Sequence, residues 1–193
     1  MLSEKYKNHH IILASASPRR QELFKELGLN FTVKVKPIEE KYNTNLQAQE
    51  ITNYLAVLKS KAFEDELKEN EILITSDTIV WHNNKALEKP KNNTEAVNML
   101  QQLSNCSHKV ITSICITSKE QQKVFYDITT VFFKQLSIEE INYYVENYHP
   151  FDKAGGYGIQ EWIGFIGVTR IEGSYFNVMG LPVHKLYEEL IKL

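Results

Sequence analysis

At 193 residues, with 42% hydrophobic and 24% charged side chains, the chain can bury a core of its own, which excludes a disordered segment and a large multidomain assembly. Lys and Arg number 22 against 24 Asp and Glu, a formal charge of −2, so no global basic field exists to hold long nucleic acid. Two cysteines, Cys106 and Cys115, exclude a disulfide framework, and no apolar run reaches the roughly 18–20 residues of a membrane span. Met1–His10 is polar and lacks the apolar segment of a signal peptide, so a cytoplasmic location without membrane contact is expected.

In chain order, Ile11–Ala14 reads as a short buried strand. Ser17 is a good N-cap and Pro18 suits a first helical turn, so a helix with Leu23, Phe24 and Leu27 on one face should run to Gly28. Phe31–Lys36 alternates like an exposed strand, and Pro37–Asn45 is a polar connection containing Glu39-Glu40. Ile51, Tyr54, Leu55, Leu58 and Ala62 predict one face of a long helix. Ile72–Ser76 is a second buried strand, with Asp77-Thr78 at its end and a turn at His82–Lys85. A helix over Thr94–Leu103 precedes two β-rich runs, Lys109–Thr117 and Lys123–Lys134, which form a long hairpin around Ser118–Gln122. Ser137-Ile138-Glu139-Glu140 is a capping box opening a helix to about Asn147. A glycine-containing loop over His149–Gly158, a strand over Trp162–Arg170 and an amphipathic helix over Pro182–Leu193 complete the chain. Early strand–helix alternation with a hairpin in the middle predicts an α/β protein with a mixed, twisted sheet flanked by helices, and no linker interrupts a single domain over 1–193.

The rarer residue types are unevenly placed. Only three residues are Arg, and Arg19 and Arg20 are adjacent; seven of eight glycines fall between Gly155 and Gly180; the four aspartates are Asp65, Asp77, Asp127 and Asp152. Ser15-Ala16-Ser17-Pro18-Arg19-Arg20 combines two hydroxyls, a helix N-terminus and two guanidinium forks, all of which favour phosphate oxygens. Asp77, where a strand is expected to run out, can bind a divalent metal, take a proton from water, or simply cap a turn. Glu39 and Glu40 offer further metal oxygens or a solvated pair, and Lys61 and Lys89 are surface charges when taken alone. Asp152-Lys153-Ala154-Gly155-Gly156-Tyr157-Gly158-Ile159-Gln160 is the densest stretch, joining a close-approach backbone to an acid, a cation and an amide. It matches neither a dinucleotide fingerprint nor a P-loop.

Taken together, Leu13–Arg20 with Glu22-Leu23, Lys61-Ala62, Ser76-Asp77-Thr78, Lys89-Pro90 with Glu95-Ala96 and Met99-Leu100, His108–Thr112, Asp152–Gln160 and Gly173–Pro182 resemble, in order and over nearly the whole chain, the Maf family of nucleoside triphosphate pyrophosphatases, also described as septum formation inhibitors. The resemblance implies two lobes around a deep nucleotide-binding cleft of the Maf/ITPase-like kind. It also implies hydrolysis of a nucleoside triphosphate to the monophosphate and pyrophosphate with Mg²⁺ or Mn²⁺, and a homodimer. By motif, Asp77 is the implied proton acceptor, and Arg19, Thr78 and Gln160 match positions that set substrate choice. Ser15, Ser17, Arg20, Lys61, Lys89 and Lys153 are implied substrate contacts, with Glu39, Glu40, Asp77 and Asp152 as candidate metal ligands. The Arg-Arg, Asp-Thr and Ile-Gln combination resembles the branch acting on dTTP and UTP; the alternatives are the same chemistry on 7-methyl-GTP or another modified purine, or a nucleotide-binding regulator of division without turnover. Two positions depart from the family pattern, Glu88 before Lys-Pro and Glu161 after Gln160, where glycine is usual.

Overall fold

The computed structural model describes all 193 residues, Met1–Leu193. Its helices are α1 (Leu2–Lys5), α2 (Pro18–Lys25), α3 (Gln49–Lys61), α4 (Asn93–Leu103), α5 (Ile138–Tyr148), α6 (Trp162–Gly167), α7 (Tyr175–Val178) and α8 (Val183–Lys192). Its strands are β1 (His10–Leu13), β2 (Phe31–Val33), β3 (Glu71–His82), β4 (Lys85–Leu87), β5 (Ser107–Thr117), β6 (Gln122–Phe133) and β7 (Val168–Glu172). One seven-stranded sheet has the order β2-β1-β3-β5-β6-β7, with β4 paired to β3. It is mixed as expected: β1 runs parallel to β2 and β3, whereas β3–β4 and β6–β7 are antiparallel.

The chain divides into two compact units. One comprises Met1–Asp77, Thr112–Asp127 and Gly180–Leu193; the other comprises Thr78–Ile111 and Ile128–Met179. In the first, Ile12, Phe63, Leu67 and Leu73 pack together with Ala14 and Ala62 against them, so β1, β3 and the end of α3 share one core. In the second, Leu100, Leu103, Ile141, Tyr144 and Ile163 are all fully buried, which makes α4, α5 and α6 its apolar body. No helix is long and apolar enough to cross a membrane.

Several local signals act as the residues dictate. Ser17 caps α2 by accepting from the Arg20 amide, with Pro18 in the first turn. Ser137 and Glu140 form the full capping box of α5. Asn83 and Asn84 both take positive φ (48° and 57°) in the two-residue loop between His82 and Lys85, the twist a tight hairpin needs and asparagine tolerates.

Three expectations change. Asp77 does not end its strand: β3 continues unbroken for 12 residues, and it is β1 that stops, its last pair being Leu13 with Ile74. The buried face of α3 is Ile51, Thr52, Leu55, Ala56 and Ser60, while Tyr54 is exposed. Small hydroxyl residues can take the inward positions there because they find partners: Thr52 Oγ1 lies 2.6 Å from Ser113 Oγ, and Ser60 donates to Val57 O at 2.8 Å. The strand expected over Trp162–Arg170 begins as helix α6 and becomes β7 only at Val168. A Cβ on Gly164 would sit 2.1 Å from the Ile159 carbonyl oxygen, so backbone packing closes this turn where side-chain composition favours a strand.

Candidate functional site

The first unit gathers charge around Asp77. The loop after β1 is tied to itself: Ser17 N donates to Ser15 Oγ at 3.3 Å, and Gln21 Nε2 donates to Ser15 O at 2.9 Å. Both hydroxyls implied as substrate contacts thus shape the turn that starts α2. Arg20 reaches back across it, giving Nε–H to Gly180 O at 2.8 Å and an Nη1–H to Ser76 O at 3.1 Å. Burial lowers the Arg20 guanidinium below its ordinary range, while Asp77 works against that shift.

Asp77 is 6% exposed. Lys59 Nζ donates to its Oδ1 at 2.6 Å and also lies 3.2 Å from Glu40 Oε2. Burial pushes the Asp77 carboxyl above the usual carboxylate range; Lys59 and Arg20 pull it back, and Glu40 adds to the rise. A carboxylate raised toward working pH, with its charge balanced by adjacent cations, has the character of a general base.

The second unit holds another set. Lys153 is buried, its Nζ 2.7 Å from Asp152 Oδ1 and 2.9 Å from Glu161 Oε1. The other Glu161 oxygen accepts from the Tyr144 hydroxyl, which itself accepts from Gly158 N at 3.0 Å. Burial, followed by Glu161, keeps the Tyr144 phenol protonated and therefore a donor. Gly155 takes φ +71°, and a Cβ on it would lie 2.7 Å from Val80 Cγ2. Its amide donates to Glu88 O at 3.1 Å, so Glu88 acts here through its backbone. Behind the loop, His108 Nε2 lies 2.7 Å from the Tyr157 hydroxyl in a buried cluster with Phe133.

The remaining sequence candidates divide plainly. Lys61 is exposed at the last residue of α3, and it is Lys59, which the motif reading missed, that meets Asp77. Helical spacing carries the signal, because Lys59 stands three and four residues after the buried Ala56 and Leu55, whereas Lys61 lies off that face. Lys89 and Gln160 are exposed, and Arg19 is half-buried. Thr78 follows Asp77 in β3, so the two side chains point to opposite faces of the strand. Glu39 is exposed and pairs with Lys41 at 2.5 Å, and Asp152 belongs to the second unit. No three His, Cys, Asp or Glu side chains converge in a metal-binding group. The carboxylates that do converge, Glu40 and Asp77, share the Lys59 ammonium. Carboxylate oxygens are the ligands a hard divalent cation takes, so Glu40 and Asp77 are the side chains of this unit that would hold one.

The Maf-like protein family model matches residues 10–193. Over all 193 residues, and the full length of both chains, the sequence is 60% identical to a protein of Flavobacterium johnsoniae named dTTP/UTP pyrophosphatase. It is 57% identical over 190 residues, 98% of this chain and 97% of the other, to one of Christiangramia forsetii with the same name. Among solved structures, the Staphylococcus aureus Ham1 protein aligns with a TM-score of 0.46 at 18% identity, covering 64% of this chain and 71% of that one. With a match spanning all but its first nine residues, the chain belongs to the Maf family.

Proposed function

We propose that this protein hydrolyses dTTP and UTP to the monophosphate and pyrophosphate, Asp77 being the group that takes the proton from the attacking water. The observation that carries the catalytic assignment is a buried carboxylate held by Lys59 at 2.6 Å, with Arg20 anchored beside it on the Ser76 carbonyl. The substrate assignment draws on relatives of that name at 57–60% identity along the whole chain. Attack at the α-phosphorus expels pyrophosphate, and its developing charge is what cations must stabilise. Arg19, Arg20, Lys61, Lys89 and Lys153 are assigned to the phosphates, Ser15 and Ser17 to the loop that presents them, and Thr78 and Gln160 to the base. A divalent cation, Mg²⁺ or Mn²⁺, supplies further screening of the phosphate charge, with Glu40 and Asp77 as its best-placed ligands and Glu39 and Asp152 as additional candidates. The same reading includes a homodimer and a cytoplasmic setting.

Pyrophosphate release is measured for dTTP, UTP, dCTP, dATP, dGTP and 7-methyl-GTP, with Mg²⁺, Mn²⁺ or chelator. Turnover should be fastest with dTTP and UTP and should vanish with chelator. Asp77→Asn should keep the fold and lose turnover by about 10²–10⁴-fold. Near-wild-type pyrophosphate release from Asp77→Asn refutes the assignment of the base, and absence of turnover with every nucleotide refutes the enzymatic reading.

A further inference from the structure

Glu161 sits at the centre of a side-chain network rather than in solvent. Its two carboxylate oxygens are used separately: one holds the Lys153 ammonium at 2.9 Å, the other accepts from the Tyr144 hydroxyl. Tyr144 is fully buried within α5 and also receives the Gly158 amide at 3.0 Å. Lys153 keeps 9% of its side-chain exposure and Glu161 25%, so the bonds lie largely out of water, where each is worth more than on an open surface. The backbone is shaped to admit this carboxylate: a Cβ on Gly158 would lie 2.7 Å from Glu161 Cδ. Glu161 also starts α6, its carbonyl accepting from Gly164 N at 2.8 Å and Phe165 N at 3.2 Å. One residue thus links a helix start, a buried phenol, a loop amide and a buried lysine, and it directly follows Gln160.

We infer that Glu161, oriented by Tyr144, is a positioning residue that fixes Lys153 and the Gly158–Gln160 backbone for substrate. The inference rests on the proposed roles of Lys153 in phosphate binding and of Gln160 in base reading. Because Glu161 touches Lys153 and not the reacting atoms, its loss should weaken substrate binding and base discrimination while leaving the chemical step intact. A buried ammonium left with Asp152 alone has more freedom, and a glutamine in place of the glutamate keeps the shape while removing the charge that restrains Lys153.

The test compares Glu161→Gln, Tyr144→Phe and their combination with the wild-type enzyme, reading kcat and KM for dTTP and dCTP together with the thermal midpoint. Glu161→Gln should raise KM for dTTP about tenfold with kcat within about threefold, and narrow the dTTP-to-dCTP preference in kcat/KM. Tyr144→Phe should shift the same two quantities in the same direction by less. The double variant should be no worse than Glu161→Gln, since both act through one chain of bonds. Unchanged KM and unchanged preference in a folded Glu161→Gln overturn the inference, as does an equal fall in kcat for both nucleotides that follows the thermal midpoint. If Glu161→Gln does not fold, Tyr144→Phe decides by the same criteria. Lys153→Ala separates the layers: a normal KM there removes the reading of Lys153, whereas a raised KM with wild-type Glu161→Gln removes only the role of Glu161.

Discussion

His108 lies in β5 with 3% exposure, its Nε2 at 2.7 Å from the Tyr157 hydroxyl and its ring edge-on to Phe133 and Tyr157 at 5.3 Å. Burial first, and then the nearby His82, lowers its pKa from 6.5 to about 3. Because the folded state refuses a proton that the unfolded chain accepts, the stability it contributes is complete above pH 6.5 and is lost as pH falls toward about 3. Each pH unit in that window costs about 1.4 kcal/mol, so the wild-type protein should lose about 3 kcal/mol from this residue by pH 4. His108→Phe removes the titrating ring but leaves the buried Tyr157 hydroxyl without its partner, a cost of about 1–3 kcal/mol that does not vary over this pH range. The variant should therefore be less stable than wild type at pH 7 and more stable at pH 4, with the two curves crossing at about pH 5.5 when that cost is about 1.5 kcal/mol. Urea unfolding of both proteins at half-unit pH steps measures the difference, and carboxylates common to both cancel from it. A difference that stays constant from pH 7 to pH 4 refutes the claim that His108 is held neutral by its surroundings.

Lys59→Met leaves Asp77 buried without its nearest cation, a loss of about 3 kcal/mol at neutral pH. Since Asp77 is already raised above the ordinary range, removing Lys59 raises it further; the stability loss should shrink as pH falls and the carboxyl protonates, and the acid limb of kcat/KM should move to higher pH. An unmoved acid limb with full activity contradicts the role given to the pair. Gln160→Ala should narrow the ratio of dTTP to dCTP turnover by about tenfold, the worth of one well-placed hydrogen bond to a base, while slowing the best substrate less. An equal loss on every nucleotide in the steady-state panel assigns Gln160 to the phosphates or to the loop instead.

Much of the fold can be read from local chemistry. Ser17-Pro18, the Ser137–Glu140 box and the Asn83-Asn84 turn each determine their own backbone, so α2, α5 and the β3–β4 hairpin follow from a few residues. What stays hidden depends on distant partners. Nothing near Thr52 announces that Ser113 will receive it and turn α3 away from its apolar row. Nothing near Trp162 announces that Gly164 will close on the Ile159 carbonyl. In the site, Asp77 and Arg20 stand out because their residue types are scarce in this chain and Lys153 because it lies in the glycine-rich Asp152–Gln160 stretch, but abundance hides Lys59 and Glu161 among many lysines and glutamates. Only the contact of each with a buried, oppositely charged group distinguishes it from its neighbours.

Asp77 stands in the middle of a twelve-residue strand rather than on a loop, and this sets how the gene can vary there. Along a strand, alternate residues belong to opposite faces, so the loss or gain of one codon between Ile74 and Asp77 would turn the carboxylate away from the face that meets Lys59. Surface loops in general tolerate a change of length. This stretch of β3 can change only by substitution, and its length should be as invariant among functional descendants as the aspartate itself.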